Sequence, residues 1–228
     1  MVSPRLRAAA FAVVCAVALS GCGGAHPGSA AQVGDVSIPD ESLERSTTGF
    51  CEVIDVFNQA QQGTSPPVPM RSALLSALNA LVMGEALDQL ARRNGVEVTE
   101  SEVRQWIGGL PLDFSRVPES RADEVNAVLE RVGRNSLLAD KLGRAVYEQQ
   151  NPGGAPVPPD QVQRLGEQLV NDYMRRIDVQ TDPRYGQALD PAQIPGTGSL
   201  SIPVSEEGLD GEGIPEPSSS LPKNRVCA

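Results

Sequence analysis

The sequence predicts a mainly α domain with a small β element, and three features of its 228 residues support that prediction. Apolar side chains recur at intervals of three and four residues over several long segments, which is the pattern of helices that bury one face. Segments rich in Pro and Gly separate these patterns and mark the helix ends. Only two short stretches, residues 31–38 and 175–180, have strand character.

The first predicted elements are a short hairpin and a helix. Residues 31–38 alternate apolar and polar side chains around the turn residues Gly34 and Asp35, which predicts a hairpin or a bent strand. Residues 39–42 (P-D-E-S) have the proline and acidic side chains that favour a helix start. The apolar stripe of this helix consists of Leu43, Thr47, Phe50, Ile54 and Phe57.

A second helix is predicted over residues 70–93 and is the most apolar of the protein. Its apolar side chains cover most of its circumference, which predicts the central and most buried helix: Leu74, Leu75, Leu78, Leu81, Val82, Leu87 and Leu90. Gly95 predicts a left-handed cap at its end. Thr99 and Glu102 then form a capping box that starts a short helix through Trp106.

Two further helices follow in the second half of the sequence. A long helix is predicted from about residue 119 to residue 149, and the Pro- and Gly-rich residues 151–159 end it. Asp160 is expected to cap the last helix, and residues 175–180 are expected to form a strand. The apolar positions of the last helix are Val162, Leu165, Leu169 and Tyr173.

The N-terminus has the composition of a secretory leader. Arg5 and Arg7 precede an apolar run over residues 8–19, which is too short for a permanent membrane span. Residues 19–22 read L-S-G-C and resemble a bacterial lipobox, in which the cysteine, here Cys22, receives a diacylglyceryl group and becomes the first mature residue. The alternative is an ordinary signal peptide with a chance cysteine.

These features predict a domain plan. Residues 1–21 are a lipoprotein signal peptide, 22–32 a flexible tether, 33–186 the helical domain and 187–228 an acidic tail rich in Pro, Gly and Ser. The tail lacks apolar periodicity, which predicts disorder apart from any anchoring by Cys227. The expected location is the extracytoplasmic face of the cell membrane, with attachment through the lipid.

Two cysteines remain after the leader and the lipidated Cys22 are set aside. Cys51 and Cys227 are an even pair in an oxidising compartment, which favours a disulfide bond between them. The alternative is two independent thiols, with Cys51 buried as a small hydrophobe and Cys227 free in the tail.

The charge and residue inventory argues against several classes of function. A net charge of −10 disfavours nucleic acid and anionic headgroups as partners. The single histidine, His26, lies in the predicted tether, where nothing would hold it as a catalytic base, and the cysteines are too few and too far apart for a zinc site. We therefore expect a protein that is not an enzyme and binds no metal or other cofactor.

Several segments follow the order found in a known family. Residues 31–38 read A-Q-V-G-D-V-S-I and residues 95–103 read G-V-E-V-T-E-S-E-V, with the apolar helix 74–90 between them. Residues 176–179 (R-I-D-V) and 182–186 (D-P-R-Y-G) follow the last helix. This order resembles the N-terminal domain of the SurA and PrsA group of extracytoplasmic chaperones. The resemblance implies a last helix and strand that return to the N-terminal strand.

The resemblance also implies a function and its limits. Full-length relatives carry a parvulin-type prolyl isomerase domain where this protein has only residues 151–159, so the isomerase activity is not implied. Binding of unfolded, newly exported polypeptides is implied. Flexible and broad side chains suit varied clients, and the candidates are Trp106, Phe114, Met83 and Met70. The alternatives are that these residues fill the core, or that the protein is an adaptor for one folded envelope protein.

Overall fold

Five α-helices build most of the protein in the computed structural model, which describes residues 28–60, 68–153, 158–185 and 225–227. They are α1 (Asp40–Ala60), α2 (Met70–Asn94), α3 (Glu100–Gly108), α4 (Ala122–Gln150) and α5 (Pro159–Met174). Short 3₁₀ turns lie at Glu119–Arg121 and Pro183–Tyr185. None of the helices in the described ranges combines the length and hydrophobicity of a transmembrane span.

Two small antiparallel sheets accompany the helices. The strands are β1 (Ser29–Val33), β2 (Val36–Pro39), β3 (Val68–Pro69), β4 (Val179–Thr181) and β5 (Val226–Cys227). The first sheet has the order β2-β1-β4, and the second pairs β3 with β5. Gly34 turns the β1–β2 hairpin with a φ of 60°. The predicted mainly helical fold with a small β element is confirmed, and the returning strand β4 pairs antiparallel with β1.

The core is centred on α2. Ten of its residues are buried: Ala73, Ala77, Leu78, Leu81, Val82, Gly84, Ala86, Leu87, Leu90 and Ala91. They pack with buried residues of the first sheet, such as Ala31 and Val33. Gln89 connects this sheet to the last helix, since its Nε2 donates to the Val33 carbonyl at 2.9 Å and its Oε1 accepts from the Tyr173 hydroxyl at 3.0 Å. The prediction that this helix is the most buried is confirmed.

Helices α4 and α5 cross at two glycines. A Cβ at Gly143 would clash with the backbone carbonyl of Val162, and one at Gly166 would clash with that of Ala139. The missing side chains let the two backbones approach closely. This crossing packs the last helix of the domain against the long α4.

Three local predictions differ from the structure. Residues 175–177 complete the turn at the end of α5, where the Ile177 amide donates to the Tyr173 carbonyl, so the strand begins only at Val179. Helix α5 begins at Pro159, and its cap position is Pro158, not Asp160. Phe57, predicted on the apolar stripe of α1, is 48% exposed, because the end of the helix buries the face of Val56 and not the stripe of Leu43 and Thr47.

The structure describes only part of the predicted N-terminal tether and of the predicted C-terminal tail. The predicted signal peptide, Cys22 and residues 22–27 of the tether lie outside the described residues. Residues 29–32, assigned to the tether, form most of β1. The predicted tail is described only at 225–227, where β5 lies on β3.

Candidate functional site

A charged groove lies between α2, α3 and α4. Its volume is about 530 Å³. Six charged side chains line it together with three others: Asp88, Glu100, Val103, Arg104, Ala127, Glu130, Arg131, Arg134 and Asn135. The three arginines and three carboxylates balance, so the groove is locally neutral on a protein of net charge −10.

Arg134 fixes the back of the groove. Its Nε and Nη2 donate to Oδ1 of Asp88 at 3.0 and 2.7 Å, and its Nη1 donates to the Val98 carbonyl at 3.1 Å. One guanidinium thus joins α4 to α2 and to the link before α3. Charge-assisted bonds of this kind are stronger than neutral ones, so Arg134 holds α4 against the other two segments.

Arg131 lies one helical turn before Arg134 and is held by packing. Its Nη1 lies 3.4 Å from the position that a Cβ would occupy at Gly84, so the guanidinium lies over the α2 backbone. Partial burial there lowers the pKa of Arg131, and the more distant carboxylates of Asp88 and Glu85 oppose that shift. Beside it, Asn135 donates to the Ala80 carbonyl at 3.0 Å.

The opposite wall comes from α3. Glu100 and Arg104 form an i,i+4 pair at 3.5 Å, and both side chains are largely exposed, so this pair contributes little stability. Val103 is buried beneath them and belongs to the main core. The α3 wall therefore has the exposed charges of Glu100 and Arg104 at its surface and the buried Val103 below them.

The capping box places α3 against α4. The Thr99 hydroxyl accepts from the Glu102 amide, and the Glu102 carboxylate accepts from the Thr99 amide at 2.8 Å, as the sequence predicts. Lys141 on α4 also reaches this carboxylate at 2.7 Å and donates to the Glu97 carbonyl at 2.7 Å. Hydrogen bonds from Lys141 and Thr99 lower the pKa of Glu102 to about 2.

The four predicted peptide-binding residues are not brought together. Met70 and Met83 lie thirteen residues apart on one helix, which separates them by about 20 Å. Met83 packs against the main core, so the core-filling interpretation holds for it. Trp106 is half-buried with its ring against Gly133 of α4, and Phe114 is half-buried in the segment after α3. Met70 is 37% exposed.

The predicted cysteine pair is brought together. The sulfur atoms of Cys51 and Cys227 lie 2.02 Å apart and the Cα atoms 4.9 Å apart, which is the distance of a disulfide bond across 176 residues of sequence. The thioether sulfur of Met70 lies 3.5 Å from the Cys51 sulfur, so this predicted client-binding residue instead borders the bridge.

Patterns in the sequence do not predict the groove. Its α4 wall has a periodic signal, because residues 127, 130, 131, 134 and 135 recur at helical spacing. That signal indicates one face of a helix. It does not show that Asp88, which precedes Arg134 by 46 residues, lies opposite this face. The groove thus depends on a contact between distant segments.

Within the described ranges, no group of three or more His, Cys, Asp or Glu side chains could hold a metal ion. Comparisons with protein-family models, with curated proteins and with solved structures find no match to this protein.

Proposed function

We propose that this protein is a lipid-anchored, extracytoplasmic chaperone-like protein that binds unfolded or newly exported polypeptides and has no isomerase activity. The observation that carries the proposal is the L-S-G-C sequence at residues 19–22, directly ahead of a helical domain. An acylated Cys22 would hold that domain at the surface where exported polypeptides emerge. This raises the local concentration of the domain without tight binding.

The placement of the family-like segments supports the proposal. In residues 95–103, Gly95 caps α2 with a φ of 64°, Val98 and Val103 are buried, and Thr99 starts α3. The segment after the last helix returns to the N-terminal strand, since Val179 lies opposite Val33. The return of the last segment to the N-terminal strand agrees with what the resemblance implies for it.

The connection between α4 and α5 bears on the isomerase. Helix α4 ends at Gln150 and α5 begins at Pro159, so eight residues stand where the relatives carry a whole isomerase domain. The sole histidine of the sequence lies at position 26. We therefore propose binding without prolyl isomerisation.

Suppression of aggregation tests the binding function. An unfolded exported protein is diluted from denaturant into buffer with the full-length protein, purified in detergent, and light scattering is followed. We expect scattering to fall as the protein approaches stoichiometric amounts. An equal concentration of an acidic, detergent-purified lipoprotein of similar size is the control. Unchanged scattering at a stoichiometric excess would overturn the proposal.

A second candidate function is an adaptor for one folded envelope protein. The large hydrophobic side chains exposed in the described part of the protein are Val36, Phe57 and Met70. They belong to three different elements, which suits defined contacts better than a continuous client-binding face. Crosslinking in cells separates the two functions. Many substoichiometric products would support the chaperone, and one dominant product would support the adaptor.

A further inference from the structure

One cation in the charged groove, Arg131, has no direct counter-ion among the described residues. None of their oxygens lies within hydrogen-bond or ion-pair distance of its guanidinium. Two of the three carboxylates that line the groove have other partners, since Asp88 accepts two nitrogens of Arg134 and Glu100 faces Arg104 at 3.5 Å. A guanidinium has five donors in a planar fork, so Arg131 retains unused donor capacity beside the cavity.

We propose that the groove binds an extended polypeptide segment through a carboxylate of that segment, which pairs with Arg131. The inference rests on the proposed function, because it names the part of the client polypeptide that is recognised. The carboxylate belongs either to an acidic side chain or to the C-terminus of the client, and both present the same two oxygens to the guanidinium fork.

The charge distribution favours a carboxylate over a doubly charged phosphate. Glu100 and Glu130 line the same cavity as Arg131, so a second negative charge on the ligand would face like charges. A single carboxylate takes two parallel hydrogen bonds from one guanidinium. The ligand residues on either side of it, which face Glu100 and Glu130, can then be neutral or basic. We therefore expect an isolated acidic residue, not an acidic run, to bind best.

The dimensions of the groove suit a short peptide. Its α4 wall extends from Ala127 to Asn135, which is about 12 Å along the helix axis. An extended peptide spans that length with about four residues. The apolar surface of Val103 and Ala127 lies beside the charges and can receive the aliphatic side chain next to the carboxylate.

Trp106 provides a spectroscopic reporter at this groove. It is the single tryptophan of the sequence, and it follows the groove residue Val103 by three positions on α3. Its ring packs against Gly133 on α4, two positions after Arg131. A ligand between α3 and α4 therefore changes the environment of the only indole in the protein.

The test is a fluorescence titration of the full-length protein in detergent with three pentapeptides. The first is A-L-E-A-A with both ends blocked. The second is A-L-Q-A-A with both ends blocked, and the third is A-L-Q-A-A with a free C-terminal carboxylate. We expect at least one of the two carboxylate peptides to bind about tenfold or more tightly than the blocked glutamine peptide, as charge-assisted hydrogen bonds predict. Whichever does so identifies the source of the carboxylate.

Variants at Arg131 assign the preference to this residue. Arg131→Gln should abolish the preference, and Arg131→Lys should retain part of it, because lysine keeps the charge without the fork. Arg144→Gln is the matched control, since Arg144 is also exposed on α4 but lies about 20 Å along the helix. Far-UV circular dichroism checks that each variant is folded. The peptide comparison on the unmodified protein needs no variant.

Equal affinity for all three peptides, no binding at millimolar peptide, or an unchanged preference in Arg131→Gln would overturn the proposal. The aggregation assay separates this failure from failure of the proposed function. Suppressed aggregation without a carboxylate preference rejects only the groove assignment. A carboxylate preference that depends on Arg131, without suppression, rejects the chaperone function and retains the peptide site.

Discussion

Two segments from the second half of the protein return to the first helix, and they are held in different ways. Strand β4 lies on β1, where Ala31 and Val33 are buried in the main core, and the following turn contacts Asp40 at the start of α1. Strand β5 lies on the two-residue β3 and is joined to α1 through Cys51. We call these the core return and the bridged return.

The core return ends in a polar turn that explains the D-P-R-Y sequence. The Arg184 guanidinium and the Tyr185 hydroxyl both donate to the Asp40 carboxylate, at 2.9 and 3.0 Å. Asp182 accepts from the Arg184 amide at 2.8 Å and so holds the turn in shape. Burial and a polar network thus act together at the core return, whereas a covalent bond through the buried Cys227 holds the bridged return.

Removal of the bridge should have the largest effect. Cys227→Ser opens a loop with a sequence separation of 176 and should lower the free energy of unfolding by about 2–5 kcal/mol, mostly through the unfolded state. Urea unfolding measures the change. Cys51→Ser and the double variant should show the same loss, because each removes the same bond. Additive losses in the double variant would mean that the cysteines act independently, as would two free thiols in a mass spectrum of the non-reduced protein.

Matched valine truncations should show the next largest effect. Val33 in β1 is fully buried and Val226 in β5 is half-buried. Val33→Ala should lower the free energy of unfolding by about 2 kcal/mol, because it removes two methyl groups from a packed core. Val226→Ala should lower it by less than about 1 kcal/mol, since a half-buried side chain has less apolar surface to lose. Similar losses at the two sites would contradict the distinction between the two returns.

The polar turn should contribute less. Tyr185→Phe removes one hydrogen bond to Asp40 and should lower the free energy of unfolding by about 1 kcal/mol. Tyr147→Phe on α4 is the control for loss of a hydroxyl, since no side-chain hydrogen bond of that hydroxyl is found in the described residues. Thermal unfolding of the two variants compares them. An equal change in both would show that the contact with Asp40 adds nothing.

The smallest effect is a pH dependence confined to the core return. Hydrogen bonds from the Arg184 side chain and amide lower the pKa of Asp182. Its contribution is therefore present above the ordinary aspartate value near 4, and is lost as the pH falls through the lowered pKa. The stability difference between the unmodified protein and Asp182→Asn should be constant between about pH 5 and pH 8 and shrink toward about pH 3. An unchanged difference at the acidic end would show that the charge of Asp182 has no role.

The same turn responds in the opposite direction at high pH. Burial, followed by the hydrogen bond to Asp40, raises the pKa of Tyr185. Its contribution is present below the ordinary tyrosine value near 10, and is lost as the pH rises through the raised pKa. The Tyr185→Phe difference should therefore shrink above about pH 10.

Local signals in the sequence predicted most helices closely. The Thr99–Glu102 capping box and the left-handed Gly95 both fix element ends through contacts within a few residues. Predictions were weaker where a distant segment decides the outcome. Phe57 has helical spacing with Leu43, but the neighbouring elements cover the face of Val56 at that end of α1 and leave Phe57 exposed.

The candidate site shows the same division. Side-chain chemistry alone indicates Trp106, Phe114, Met83 and Met70 as client contacts. Spacing along the sequence does not give their positions relative to one another. The groove depends on Arg134 meeting Asp88 across 46 residues and on Arg131 lying over Gly84. A periodic pattern within one helix does not predict a contact with a distant segment.

The sequence by itself determined the helical class, the capping box at Thr99, the left-handed cap at Gly95 and the pairing of Cys51 with Cys227 as the favoured bridge. It could do so because each depends on short-range spacing or on elimination among few residues. Only the tertiary structure decided which stripe residues are buried, where the returning strand begins and which arginine of the described groove has no counter-ion among the described residues. Those outcomes depend on the packing of whole helices, where a side chain meets neighbours that its own segment does not specify.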